Sequence, residues 1–203
     1  LLLAAVGVTA LGSGCGILIK TNTGGGRTTS SQLACTTGHH FPLSFYEDTY
    51  YRGWHSARDT HGNHFFSHPY LRVVFKTSPT GRMLNQFGVL NTAGATSDKF
   101  NLNMGAAVDG SERIWVTEQG NRRVKVINSD GSFAFMFGSA GAGSSQFGAN
   151  SPVSININAV AGRVLVADGG NNRVQEFDMD GNFVDYFGSG HTSPNSAVFS
   201  TDR

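Results

Sequence analysis

Val164-Leu165-Val166-Ala167-Asp168-Gly169-Gly170-Asn171-Asn172-Arg173-Val174-Gln175-Glu176-Phe177 sets two short, apolar runs on either side of a polar turn. Asp180-Gly181 follows, then Phe183 to Phe187 and Gly188. Asp-Gly is hairpin chemistry, because tight two-residue turns need the positive φ that glycine supplies at little steric expense. The stretch reads as strand, turn, strand, turn, strand, and nothing in it keeps a helical period.

The same pattern recurs upstream. Phe87-Gly88, Phe137-Gly138 and Phe187-Gly188 are spaced by 50 residues, and so are Gly81, Gly131 and Gly181. His64-Phe65-Phe66-Ser67-His68 falls in register with Ile114-Trp115-Val116-Thr117-Glu118 and with Val164 to Asp168. Three landmarks sharing one period define a repeat. In the middle unit Arg123 to Ile127 is the second strand and Ser129-Asp130-Gly131 the hairpin, after which alternation places Phe133, Phe135 and Phe137 on one face. Small antiparallel sheets cannot bury both faces alone, and radial stacking solves that problem. The expected fold class is therefore all-β, with about three β-propeller blades preceded by an apolar N-terminal segment. Kelch blades fit poorly, since a double glycine appears only once within the repeats, at Gly169-Gly170.

Val166, Asp168, Asn171, Arg173-Val174, Phe177, Gly181, Phe183 and Phe187-Gly188 together resemble the NHL repeat. The middle unit resembles it through Val116, Glu118, Asn121, Arg123-Val124 and Gly131, with Glu118 where the family prefers Asp. The first unit departs: His68 takes the place of the acid, Leu71 that of the Asn, and Arg72-Val73 comes one residue early. Asp168, Asn171, Arg173, Glu118, Asn121 and Arg123 are read as architectural, the carboxylate accepting backbone N–H groups across a turn and the Arg pairing with it or with carbonyls. NHL rings commonly have six blades, so three blades imply a partial propeller or one completed by other chains. The expected division is 1–38 as an apolar then Gly/Ser/Thr-rich segment, 39–190 as blades, and 191–203 as the start of a further blade anchored by Phe199, or a tail.

Charge is sparse and balanced, +1 overall, which is no basis for a sequence-independent grip on nucleic acid. Arg113, Arg122, Arg123, Lys125 and Arg163 are interleaved with Asp109, Glu112 and Glu118. Leu1 to Ile19 carries no charge, and its glycines weaken a membrane helix. It is read as a packed part of the mature protein, with a membrane span or a secretory signal as the alternatives. The Thr21 to Ser31 run reads as a linker. Cys15 and Cys35 are expected to form a disulfide, closing a loop of about 20 residues and stabilising by roughly 3 kcal/mol, and they point to an extracellular or cell-surface location.

For chemistry the histidines are the one cluster with site character. His61, His64 and His68, with Asp59 beside them, offer nitrogen and oxygen ligands for a metal ion, although the spacing matches no standard zinc motif. Blade histidines without a metal are the competing reading. No catalytic residue and no further cofactor is assigned. The run Gly138 to Gly143 has no Lys and no helix after it, which excludes a phosphate loop and leaves an inter-blade loop. The expected function is that of a non-enzymatic structural or interaction protein. It self-associates, as a closed assembly or a filament, through open propeller edges and the apolar N-terminal segment. Its partner is first of all itself, then other proteins or glycans. The alternatives are a ligand- or protein-binding propeller and a metal-dependent lyase of the peptidyl-hydroxyglycine lyase type.

Overall fold

The structure is a computed structural model that describes the backbone of Lys20–Thr23 and Thr28–Ser31 and all of residues 56–188. The chain divides into two compact units, Leu1–Glu47 and Asp48–Arg203. In the first, β1 (Lys20–Thr23) pairs antiparallel with β2 (Thr28–Ser31), Lys20 opposite Ser31. The Thr/Ser run read as a linker thus contains a hairpin, since hydroxyl-bearing Thr tolerates extended backbone and three glycines lie between the strands. The apolar segment 1–19, Cys15, Cys35 and Phe199 lie outside the described residues.

The second unit holds three four-stranded antiparallel sheets, each a simple meander. Blade 1 is β3 (Ser56–Arg58), β4 (His64–His68), β5 (Val73–Thr77) and β6 (Met83–Phe87). Blade 2 is β7 (Asn103–Val108), β8 (Ile114–Glu118), β9 (Arg123–Ile127) and β10 (Phe133–Phe137). The connector to the next sheet carries a short parallel pair, β11 (Ser139–Ala140) and β12 (Gln146–Phe147). Blade 3 is β13 (Ile155–Asn158), β14 (Arg163–Asp168), β15 (Arg173–Phe177) and β16 (Phe183–Phe187). A 3-10 turn over Gly169–Asn171 separates β14 from β15. These are β-propeller blades, and the expected fold class holds.

The repeat extends to the backbone. Positive φ recurs at the 50-residue interval in four places: 62, 112 and 162; 72, 122 and 172; 81, 131 and 181; 88, 138 and 188. Most are Gly, but Glu112, Arg72, Arg122 and Asn172 hold the same left-handed geometry. The turns are therefore set by position in the repeat, and glycine only makes them cheaper.

Two features differ from the sequence reading. Each blade has four strands where three were expected: the leading strands β3 and β7 are rich in Ser, Gly and Ala, and β13 is a four-residue Ile/Asn alternation. Each outer strand also breaks its ladder at one place, between Met83 and Asn85, Phe133 and Phe135, and Phe183 and Asp185. This β-bulge interrupts the alternation. Phe135 and Phe137 consequently turn inward to pack beside Trp115, while Phe133 is exposed.

The core lies between blades. Phe65, Val74 and Phe87 of blade 1 meet Ile114, Val116 and Ile127 of blade 2, with Phe100 of the connector. Trp115, Val124 and Val126 of blade 2 meet Ile155, Val164, Val166 and Phe177 of blade 3, with Phe147. The blade 2 sheet thus spends one face on blade 1 and the other on blade 3. Hydroxyls tie the seams: Ser67 Oγ donates to the Asn103 carbonyl (2.7 Å) and Thr117 Oγ1 to that of Val153 (3.3 Å).

Candidate functional site

The polar residues singled out in the repeat form two equivalent buried networks. In blade 3 Asp168, fully buried at the end of β14, accepts from Arg173 Nε (2.9 Å), Asn171 Nδ2 (2.9 Å) and Gln175 Nε2 (3.1 Å) on one oxygen, and from the Gly148 N–H (2.9 Å) on the other. Arg173 then donates to the carbonyls of Gly143 (2.6 Å) and Gln146 (2.9 Å), and Asn171 to that of Gly141 (2.8 Å). In blade 2 Glu118 accepts from Arg123 Nε (2.5 Å), Asn121 Nδ2 (2.7 Å) and the Asn101 N–H (3.1 Å). Asn121 and Arg123 reach the carbonyls of Gly94 (2.8 Å) and Ala95 (2.9 Å). Both networks latch the connector from the preceding blade onto the strands of their own blade. The longer Glu118 serves where Asp is preferred because it reaches the same donors.

Lys125 belongs to the blade 2 latch, and sequence reasoning did not find it there. Its side chain is fully buried, 3.7 Å from Glu118, and Nζ donates to the carbonyls of Thr96 (3.0 Å), Ser97 (3.3 Å) and Lys99. It also sits over the Phe100 ring, 4.5 Å from its centroid, a favourable cation–π position. Burial pushes its pKa down to about 8, against the opposing pull of Glu118. The signal that could have revealed it is register: Gln175 stands fifty residues on and bonds the corresponding connector through Gln146 O (2.7 Å) and Ser145 N (3.0 Å).

The three histidines expected to share an ion do not converge. His64 and His68 stand at opposite ends of β4, four residues apart, which in an extended strand is about 13 Å. His68 is instead an acceptor, taking the Leu71 N–H on Nδ1 (3.2 Å), and burial pushes its pKa down to about 4. Neutral imidazole thus occupies the register of Glu118 and Asp168. His61 alone joins a ligand-capable group, with Asp59 and Glu112, whose ligand atoms fall within 4.8 Å of one another.

That group fits a divalent ion poorly. Asp59 already accepts from Asn63 N (2.7 Å) and Asn63 Nδ2 (2.8 Å) and lies 3.3 Å from the Lys76 ammonium. Burial pushes its carboxyl up, but these partners outweigh burial and hold it below the usual value. Glu112 accepts from the Thr60 N–H (3.1 Å) and hydroxyl and lies 3.6 Å from His61 Nδ1. An ion would have to displace Lys76 and these donors. As it stands, the group clamps the first turn of blade 1 to that of blade 2.

Comparison with solved structures finds propeller-like proteins at low identity. The chain aligns with Kuenenia stuttgartiensis hydrazine synthase at TM-score 0.54 and 14% identity, over 74% of this chain and 41% of that one. It aligns with a streptogramin B lyase at TM-score 0.50 and 16% identity (68% and 41%). A virginiamycin B lyase from Staphylococcus aureus, in a structure with quinupristin, gives TM-score 0.50 and 13% identity (80% and 46%). Likeness at this level shows the fold, and the chain spans under half the length of these proteins. Neither the protein-family models nor the curated proteins give a match.

Proposed function

We propose that this chain is a non-enzymatic structural or interaction protein of NHL type, working outside the cell or at its surface, and that it self-associates through open propeller edges and its apolar N-terminal segment. The observation that carries the reading is a graded series. Phe87 is 5% exposed and Phe137 is half-buried, each covered by the blade that follows. Phe187, at the same register, is 51% exposed. Large exposed aromatics at the edge of a sheet mark a surface suited to further packing.

The buried polar networks support a scaffold more than a reaction centre. Asp168, Glu118, Arg173 and Arg123 are spent on holding connectors, which leaves them unavailable to a substrate. A lyase reading would lean on the Asp59–His61–Glu112 group, whose donors are already engaged.

Light scattering on the full chain tests the proposal, and electron microscopy shows the form of the assembly. Species of defined multiple mass, or fibres, are expected, together with a Cys15–Cys35 bridge in non-reducing peptide mapping. A chain that stays monomeric across the accessible concentration range defeats the self-association reading.

A further inference from the structure

We propose that Met136 is a redox modification site: peroxide converts its thioether to the sulfoxide, and the Arg123 guanidinium of the blade 2 latch receives the new oxygen. This goes beyond the self-association reading and does not depend on it.

Met136 stands on β10, the outer strand of blade 2, whose sheet has blade 1 on one side and blade 3 on the other. Of the four methionines it is the exposed one, at 45%, whereas Met83, Met104 and Met179 are half-buried. Its sulfur meets a charged donor. Arg123 Nη1 donates to Met136 Sδ at 2.9 Å, and the same nitrogen holds the Ala95 carbonyl of the connector at 2.9 Å. A thioether is a weak acceptor, so the guanidinium has a poor partner there. The other terminal nitrogen, Nη2, is buried and has no partner among the described residues. A buried donor without an acceptor is unfavourable, and more so on a charged group.

The sister latch shows what blade 2 lacks. In blade 3, Arg173 Nη2 donates to the carbonyls of Gly143 (2.6 Å) and Gln146 (2.9 Å). Tyr186, in register with Met136, places its ring 5.1 Å from the Arg173 guanidinium. Acceptor and cap are both supplied there. In blade 2 the cap is an oxidisable sulfur and the acceptor for Nη2 is missing. Blade 1 carries Gln86 at this register, a side chain that ends in an amide oxygen.

The step balances with hydrogen peroxide as the oxidant. A sulfur lone pair attacks one peroxide oxygen, and the O–O bond breaks as the S–O bond forms. The departing hydroxide takes the proton of the transferred oxygen and leaves as water. Sulfur loses an electron pair and the peroxide gains it. The thioether becomes a polar sulfoxide whose oxygen, one bond from Sδ, is within reach of the guanidinium. In an apolar site that polarity disrupts packing. Beside Arg123 it gives a charged donor a stronger acceptor and tightens the hold on the connector through Ala95.

The test treats the folded full chain with dilute hydrogen peroxide and reads each methionine by peptide mapping with mass spectrometry. Met136 is expected to take up oxygen first. Protein oxidised at Met136 should then unfold at a temperature higher by about 2–6 °C. The side-chain N–H signals of Arg123 should shift in nitrogen NMR. Met136→Leu removes the sulfur and should abolish the peroxide-induced rise. Oxidation of Met83, Met104 or Met179 ahead of Met136 overturns the proposal. So does a Met136 sulfoxide that leaves Tm unchanged or lower, or that leaves the Arg123 signals unmoved, which is the behaviour of an exposed methionine with no receiver. A rise that persists in Met136→Leu places the effect elsewhere and overturns it as well.

Discussion

Asp168→Ala tests the connector latch most directly. The substitution removes one buried carboxylate, strands the Gly148 N–H and Arg173 Nε, and takes one of two acceptors from Asn171 Nδ2 and from Gln175 Nε2. Arg173 keeps two carbonyl partners, yet its charge, nearly buried, has no counter-ion left. Breaking a buried pair from one side costs about 3–5 kcal/mol. Against a domain stability of roughly 5–15 kcal/mol this is a large fraction, and for a domain of this size it lowers Tm by roughly 6–20 °C. The half-exposed pair Arg163–Glu176, at 2.9 Å, provides the contrast: Glu176→Ala should change stability by about 0–1 kcal/mol. Urea unfolding followed by tryptophan fluorescence reads both, with a constant m-value showing that the variants share an unfolded state. Asp168→Ala combined with Arg173→Leu should recover much of the loss, because the stranded charge is gone. If Asp168→Ala costs no more than Glu176→Ala, the latch does not hold the connector and the reasoning fails.

Three further outcomes are expected. Phe87→Ala should cost about 3–5 kcal/mol in equilibrium unfolding, Phe137→Ala somewhat less, and Phe187→Ala least when measured on dissociated chains; an equal cost at all three positions would contradict the covering of each blade by the next. Lys125→Gln copies the blade 3 solution at Gln175 and removes an ammonium whose charging burial opposes, so thermal unfolding should show stability unchanged or raised, whereas a loss above about 2 kcal/mol would mean the charge is needed. His68 has a folded pKa of about 4 against 6.5 for the free side chain, so the unfolded state binds its proton first. Its contribution to stability is present above pH 6.5 and declines as pH falls towards about 4; the stability difference between wild type and His68→Asn should narrow over that window, and an NMR titration placing His68 near 6.5 would sink the assignment.

Much of this architecture is legible from residue types. The 50-residue interval of Phe and Gly marked the three outer strands and their hairpins, and Asp168, Asn171 and Arg173 marked the latch. The first strands of blades 1 and 2 escaped notice because Ser56–Arg58 and Asn103–Val108 offer few β-branched residues and no alternation, whereas the Ile/Asn alternation of Ile155–Asn158 was legible and was missed. The bulge was hidden because two residues facing one leaves no trace in composition. Lys125, set in Val124-Lys125-Val126, reads as a solvent-facing position, and only the connector folded across it makes the site dry. The histidines misled for a related reason: nearness in sequence along a strand is distance in space.

One arrangement has a bearing on how the molecule comes apart. Because each described blade packs only against the next in sequence, the free energy behaves as a chain of nearest-neighbour couplings, in the manner of a one-dimensional lattice. Blade 2 is coupled on both sides, and every residue of β8 and β9 is buried. Among the described residues the highest resistance to amide hydrogen exchange should therefore be found in Ile114–Glu118 and Arg123–Ile127, with β16 opening at far lower free energy. Fraying would start at the outermost blade and travel inward, so that occupying the outer face by any partner slows exchange two blades away.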